Sequence, residues 1–175
     1  MSLKTRDLVK DEYIFRAIRS DEIGDMFSLI MSRVRWMDDV GIRQWNVTKY
    51  DEVYPVSYYE GHAHAGEVFV LEERATGKMV CAAVLKHKDD RWPIDNARAL
   101  YLHNFASALD AKGRGSIFLC LAEEYARGQG MEYFRLDSAD DNEFLARYYT
   151  ERGYVAVGEC VDGLYSGILR QKKLV

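Results

Sequence analysis

The chain has 175 residues, of which 48% are hydrophobic and 30% charged, with a formal net charge of −4. That length supports one domain with a sizeable core, and the composition is that of an ordinary soluble globular protein. The weakly acidic balance offers no concentrated basic face, so nucleic acid is excluded as an expected partner.

The opening stretch MSLKTRDLVKDEY lacks the apolar centre of a signal peptide. The longest apolar runs, such as residues 79–85, are far too short to span a bilayer. Cys81, Cys120 and Cys160 are odd in number, far apart and set among apolar residues, which reads as buried, reduced thiols. A cytoplasmic protein with no membrane partner is the expectation.

Residues 13–19 (YIFRAIR) alternate apolar and polar, as a half-buried strand does. Ser20 then offers an N-cap to a helix in which Glu22, Ile23, Met26, Phe27, Ile30, Met31 and Val34 recur at helical spacing. It runs to about Asp39, with Gly41 as its stop. Residues 41–64 read as mostly irregular and unusually aromatic, with Trp45, Tyr50, Tyr54, Tyr58 and Tyr59, and with a short helix near 57–64. Residues 67–72 and 78–88 flank Ala75-Thr76-Gly77, a hairpin turn between two strands.

Pro93 lies in a charged loop before a strand at about 97–106. The helix from about Ser116 to Arg127 is apolar all round in its first turns and is expected against a sheet, with Gly128 and Gly130 ending it. Residues 133–138 form a strand. Asp140 or Asp141 caps a helix carrying Phe144, Leu145, Tyr148 and Tyr149, which Gly153 closes. Two strands, 154–161 and 164–172, finish the chain. No repeat or linker interrupts this order, so residues 1–175 read as a single α/β domain with a mostly antiparallel sheet flanked by helices.

The chain is organised around residues 101–127. A strand leads into Gly113-Arg114-Gly115-Ser116 and then a helix N-terminus, whose first N–H groups lack intrahelical partners. Glycine lets a phosphate approach them closely, so the segment reads as an anion trap. Read bare, such a turn is also an ordinary tight turn.

Three segments resemble the GNAT superfamily of acyl-CoA N-acyltransferases, and the resemblance runs from Tyr13 to about Leu174. Gly113-Arg114-Gly115 matches the glycine part of that family's R/Q-x-x-G-x-G/A pyrophosphate motif. Asn142, Leu145, Tyr148, Tyr149, Gly153 and Tyr154 match its N-x-x-A-x-x-x-Y-x-x-x-G-F segment. Trp36, Gly41, Gln44 and Trp45 match a pattern common in bacterial members. One departure is plain: Asp110 stands where the motif has its first Arg or Gln.

The resemblance implies a GNAT-type fold, acetyl-CoA as co-substrate, no metal, and direct transfer of the acetyl group to a primary amine of a small-molecule acceptor. It implies that the backbone of Phe105, Ala106 and Ser107 carries the pantetheine, and that Lys112, Gly113, Arg114, Gly115 and Ser116 hold the pyrophosphate. Asn142 would contact CoA, cap a helix, or both. Tyr149 is implied as the acid at the CoA sulfur and His103 as the base, each with ordinary packing as the alternative. Trp36, Gln44 and Trp45 fall where the family builds its acceptor pocket, and equally where a core under a long loop would lie. Homodimers are common in the family. A catalytically idle CoA-binding or regulatory domain on the same fold is the alternative function.

Two further patterns invite metal readings. His62-Ala63-His64 has no supporting carboxylate or cysteine pattern and reads as two loop histidines. The acidic run 137–141 reads more simply as helix-capping carboxylates than as a Mg²⁺ site.

Overall fold

The structure, a computed structural model, describes residues 7–175. Residues 1–6, part of the stretch read above for a leader, lie outside the described residues. The described elements are β1 (Leu8–Lys10), β2 (Tyr13–Ala17), α1 (Ile23–Val40), α2 (Tyr50–Val53), α3 (Val56–His64), β3 (Val68–Glu73) and β4 (Lys78–Lys86). They continue with β5 (Ala99–Ser107), α4 (Arg114–Gly128), β6 (Tyr133–Ala139), α5 (Glu143–Thr150), β7 (Val155–Asp162) and β8 (Tyr165–Lys173). The strands hydrogen-bond in the order β1-β2-β3-β4-β5-β6-β8-β7. β5 and β6 pair in parallel, with Ala99–Tyr101 against Tyr133–Arg135. The pairs β1–β2, β2–β3, β3–β4, β6–β8 and β7–β8 are antiparallel. Among the described residues no helix is long and apolar enough to cross a membrane.

The chain gathers into two compact units. One takes residues up to Leu85 together with Asn104–Ala122; the other takes Lys86–His103 and Glu123–Val175.

In the first unit the two faces of β3 explain its unbroken apolar run. Val68 and Val70 meet Met26 and Ile30 of α1 in one buried cluster. Phe69, pointing the other way, stacks on Phe15 at 5.1 Å, and Phe15 meets Phe118 of α4 edge-on at 5.2 Å. Ile30 is fully buried, so its truncation to alanine costs roughly 2–5 kcal/mol. Gly41 ends α1 as its sequence suggests: it is left-handed at φ 72°, and the Ile42 N–H returns to the Met37 carbonyl at 2.9 Å.

The start of α1 differs from expectation. Ser20–Glu22 form a 3-10 turn, and α1 begins at Ile23. Glu22 displaces Ser20 as the capping group, because its carboxylate accepts the Arg19 N–H at 2.8 Å while pairing with buried Arg16. Residues 41–64 are also more regular than expected, holding a 3-10 turn at Trp45–Val47 as well as α2 and α3.

In the second unit Trp92, Ala99, Tyr101, Cys160 and Leu169 form a buried cluster. Glu123 of α4 is buried yet accepts from the Tyr154 hydroxyl at 2.8 Å and from Lys172 Nζ at 2.6 Å. Asn142, not Asp140 or Asp141, caps α5, since its Oδ1 accepts the Leu145 N–H at 3.0 Å. Asp141 and Asp140 precede the capping position by one and two residues.

The cysteines divide. Cys81 and Cys160 are buried, and burial pushes their thiols up to about 12 and about 11. Cys120 is exposed, against expectation, because it falls on the outer face of α4, where its Sγ lies 3.1 Å from Lys10 Nζ.

Candidate active site

The loop between β5 and α4 is built by short turns. The Ala108 N–H still reaches β4, at Val80, at 2.8 Å; then the Ala111 N–H bonds Ala108 and the Arg114 N–H bonds Ala111. Gly113 sits at φ 82° with no atom within 4 Å of where a Cβ would be. The glycine is therefore required by backbone conformation rather than by space. α4 starts at Arg114, so Gly115 and Ser116 lie in its first turn, at the positive end of the helix dipole; the Ser116 N–H bonds the Gly113 carbonyl at 3.3 Å. The Arg114 guanidinium lies over the Tyr13 ring at 5.1 Å. Asp110 does not confront this loop as a bare charge: Lys78 Nζ sits 2.6 Å from its carboxylate. That hydrogen bond, with the lysine's charge, holds the Asp110 carboxyl below its usual range.

The strand before the loop breaks at Asn104, a non-glycine residue at φ 52°. Such a conformation is strained for an ordinary side chain and interrupts the two-residue alternation. His103 and Phe105 therefore do not share a face in the simple way the alternation suggests. Asn104 is held by its side chain, donating to the Tyr50 hydroxyl at 2.5 Å and accepting from Tyr58 at 3.2 Å. Beyond it, Phe105 stacks on Phe118 at 5.0 Å and Ala106 is buried, so these two side chains are committed to packing. Arg33 Nε on α1 takes the Ser107 carbonyl at 2.5 Å, and Arg33 Nη2 takes its hydroxyl at 2.8 Å.

The aromatic residues of 45–62 form a ladder. Trp45, Tyr50, Tyr54 and Tyr58 follow one another with centroids 4.8–5.0 Å apart, and His62 closes on Tyr58 at 4.4 Å. Trp36 lies elsewhere, under the Arg33 guanidinium at 5.1 Å. Gln44 donates its backbone N–H to Asn46 at 2.9 Å. His62 and His64 lie in the last turn of α3, not in the loop expected above, and His62 pairs with Glu67 at 2.6 Å.

In the second unit His103 is buried within a polar cluster. Arg91 Nη2 lies 2.5 Å from His103 Nδ1, and His103 Nε2 faces Asp89 at 3.3 Å. A guanidinium can only donate, so Nδ1 accepts and the imidazole proton sits on Nε2. Burial pushes the Asp89 carboxyl up, but His103 and Arg91 outweigh it and hold the group well below the usual range. Arg91 Nη1 also faces Asp137 at 3.4 Å, and Asp137 accepts from the Tyr165 hydroxyl at 2.6 Å. Asp89, His103 and Asp137 bring ligand-type atoms within 4.8 Å of one another, and the guanidinium of Arg91 contacts all three.

Tyr149 of α5 is buried between Tyr148 at 5.2 Å and Tyr154 at 5.6 Å. Its hydroxyl has no hydrogen-bond partner among the described residues. Burial, then the nearby Tyr148 and Asp137, raise the phenol above its ordinary value. Asp137 is thus a shared neighbour of Tyr149 and of the His103 cluster.

No family model matches the sequence, and no curated protein does. Solved structures do. An acetyltransferase of the GNAT family from Listeria monocytogenes superposes with a TM-score of 0.77 at 22% identity, over 96% of this chain and 99% of its own. The fold is that of the GNAT acetyltransferases. A GNAT-family acetyltransferase from Streptococcus agalactiae gives 0.70 at 23% identity, over 92% of this chain and 95% of its own. PaiA N-acetyltransferase from Thermoplasma acidophilum, in complex with coenzyme A, gives 0.70 at 16% identity, over 92% of this chain and 98% of its own.

On this GNAT fold the sequence reading missed several groups that the structure brings to the expected residues. Asp89 and Arg91 come from a charged loop with no motif. Arg33 lies on α1 outside the apolar positions read from the sequence, and Lys78 lies on β4, away from the loop that carries Asp110. Only Asn104 carried a local signal, a turn-prone residue inside an apolar strand.

Proposed function

We propose that the chain is an acetyl-CoA-dependent N-acetyltransferase that passes the acetyl group directly to a primary amine of a small-molecule acceptor. The observation that carries this reading is the turn at Gly113 opening onto the N-terminus of α4, on a fold shared with GNAT acetyltransferases. A structural neighbour bound to coenzyme A supports the co-substrate. Lys112, Gly113, Arg114, Gly115 and Ser116 receive the pyrophosphate, and the backbone of Phe105, Ala106 and Ser107 the pantetheine. Asn142, already the cap of α5, lines the CoA side. Trp36, Gln44 and Trp45 face the acceptor. The protein works in the cytoplasm, and a homodimer is compatible with the reading.

The amine nitrogen attacks the thioester carbonyl and loses a proton to His103 or to a water it holds; the C–S bond breaks and the thiolate leaves. A phenol held above its ordinary pKa gives up its proton reluctantly, so Tyr149 serves the departing sulfur by donating a hydrogen bond ahead of any full proton transfer. One observation favours a second reading, a CoA-binding domain without chemistry: Arg91 occupies the His103 nitrogen that would take the proton.

The test is calorimetric titration with acetyl-CoA, followed by acetyl transfer to a panel of amines. Binding with transfer supports the leading reading. Binding without transfer to any amine selects the second, and no binding up to millimolar acetyl-CoA removes both.

A further inference from the structure

Arg33 of α1 is partly buried and held at the point where β5 passes into the loop before α4. Its Nε donates to the Ser107 carbonyl at 2.5 Å, and its Nη2 donates to the Ser107 hydroxyl at 2.8 Å and to the Ala108 carbonyl at 3.4 Å. The guanidinium also lies over the Trp36 ring of the same helix, at 5.1 Å. These contacts fix its position, yet every acceptor among them is neutral. Among the described residues Arg33 makes no ion pair. Arg16, in the same unit, meets Glu22 and Glu72, and Asp110 of the loop is taken by Lys78 at 2.6 Å. The Nη1 of Arg33 makes no hydrogen bond among the described residues and stays open to water. A fixed guanidinium therefore presents one uncommitted donor, with its full charge, beside Ser107 and Ala108.

We propose that Arg33 is a phosphate-binding residue of the co-substrate site, with Nη1 donating to the phosphate that joins the pantetheine. This rests on the acetyl-CoA reading above, which lays the pantetheine along residues 105–107 and the pyrophosphate on residues 112–116. Ser107 and Ala108 come between those two stretches, so a guanidinium bonded to both is held where the phosphate nearest the pantetheine passes. The hydrogen bond is charge-assisted, the stronger kind that arginine makes with phosphate. Because the side chain is already immobilised by Ser107, Ala108 and Trp36, little further entropy is lost when the anion arrives. Lys112 and Arg114 approach the pyrophosphate from the loop itself, and Arg33 adds a cation from α1.

The experiment compares wild type, Arg33→Met and Arg33→Lys, with two acetyl donors. In titration calorimetry with acetyl-CoA, Arg33→Met weakens binding about 10- to 100-fold, and Arg33→Lys recovers part of the loss. With S-acetylpantetheine, which carries no phosphate, kcat/KM is the same in wild type and Arg33→Met. A side chain that merely braced the Ser107 carbonyl would harm both donors alike, since the pantetheine lies on that segment in either. An equal deficit with both donors, or wild-type affinity for acetyl-CoA in Arg33→Met, overturns the proposal and leaves the transfer reading intact. A wild type that binds acetyl-CoA and acetylates nothing removes the transfer reading, and the affinities alone then decide. Loss in Arg33→Met with recovery in Arg33→Lys upholds the phosphate contact, whereas equal loss in both overturns it. A wild type that does not bind acetyl-CoA ends both readings together.

Discussion

Lys78 Nζ lies 2.6 Å from the carboxylate of Asp110, and both side chains are exposed. The pair places a cation from β4 beside the loop position at which the family motif carries its own Arg or Gln. An exposed ion pair is weak and opens readily. Lys78 can thus cancel Asp110 and still turn toward an arriving phosphate. In Lys78→Ala the uncancelled carboxylate weakens acetyl-CoA binding roughly three- to tenfold at low salt, and the difference fades as salt is added. Asp110→Asn in the same background restores affinity. Titration calorimetry at two ionic strengths checks this; wild-type affinity in Lys78→Ala would remove the pair from the electrostatics of the loop.

Tyr149→Phe isolates one hydroxyl. That hydroxyl has no partner among the described residues, so its removal leaves no orphaned group and stability changes by no more than about 0.5 kcal/mol. The ring contacts with Tyr148 and Tyr154 remain. If the hydroxyl meets the departing sulfur, kcat falls about 100-fold and the acetyl-CoA KM stays where it was. A variant with unchanged kcat would return Tyr149 to a packing role.

Arg16 makes the first unit sensitive to acid. Its guanidinium, exposed at 7%, joins Glu22 and Glu72, whose exposures are 17% and 14%. The hydrogen bond from Arg16 is the largest influence on Glu22 and, against some burial, lowers its carboxyl below 4.5. A folded-state pKa depressed in this way adds stability above the unfolded value, about 4.3, and that stability is lost as pH falls below it. Wild type therefore loses melting temperature as pH falls below about 4.3. Arg16→Met costs about 3–5 kcal/mol at pH 7, because it leaves Glu22 and Glu72 without their shared partner, and flattens the acid limb. Denaturant melts across that range read both effects; parallel limbs would deny Arg16 its part.

The order of strands and helices was legible because long periodic segments and glycine stops are local signals. Gly41 ends its helix in the left-handed conformation such a stop takes, and Gly113, read as part of a turn, sits at φ 82°. The start of α1 was not legible, because a carboxylate paired to a distant arginine out-competes a local serine cap. Cys120 was misread since an apolar helix still has an outer face. The candidate site divides in the same manner. Its backbone parts, the turn and the helix N-terminus, were readable from Gly113-Arg114-Gly115. Its charged parts were not, for Arg91 reaches His103 from 12 residues away and Lys78 reaches Asp110 from 32. Sequence spacing encodes periodicity within an element, whereas these pairs depend on which loop folds over which strand.

Arg91 gives the last expectation. Because it can only donate, its bond at 2.5 Å fixes the His103 lone pair on the nitrogen that it occupies. A proton arriving at that nitrogen must expel the guanidinium, so base action by His103 and release of Arg91 are one event. Asp89 faces the other ring nitrogen, and Asp137, which accepts from the Tyr165 hydroxyl, receives the arginine's far side. Removing the cation frees that nitrogen. In Arg91→Gln kcat therefore rises above wild type, because no guanidinium has to be expelled, while in His103→Ala kcat falls about 100-fold. Turnover of wild type and both variants decides the matter. Unchanged kcat in His103→Ala would assign the base to another group.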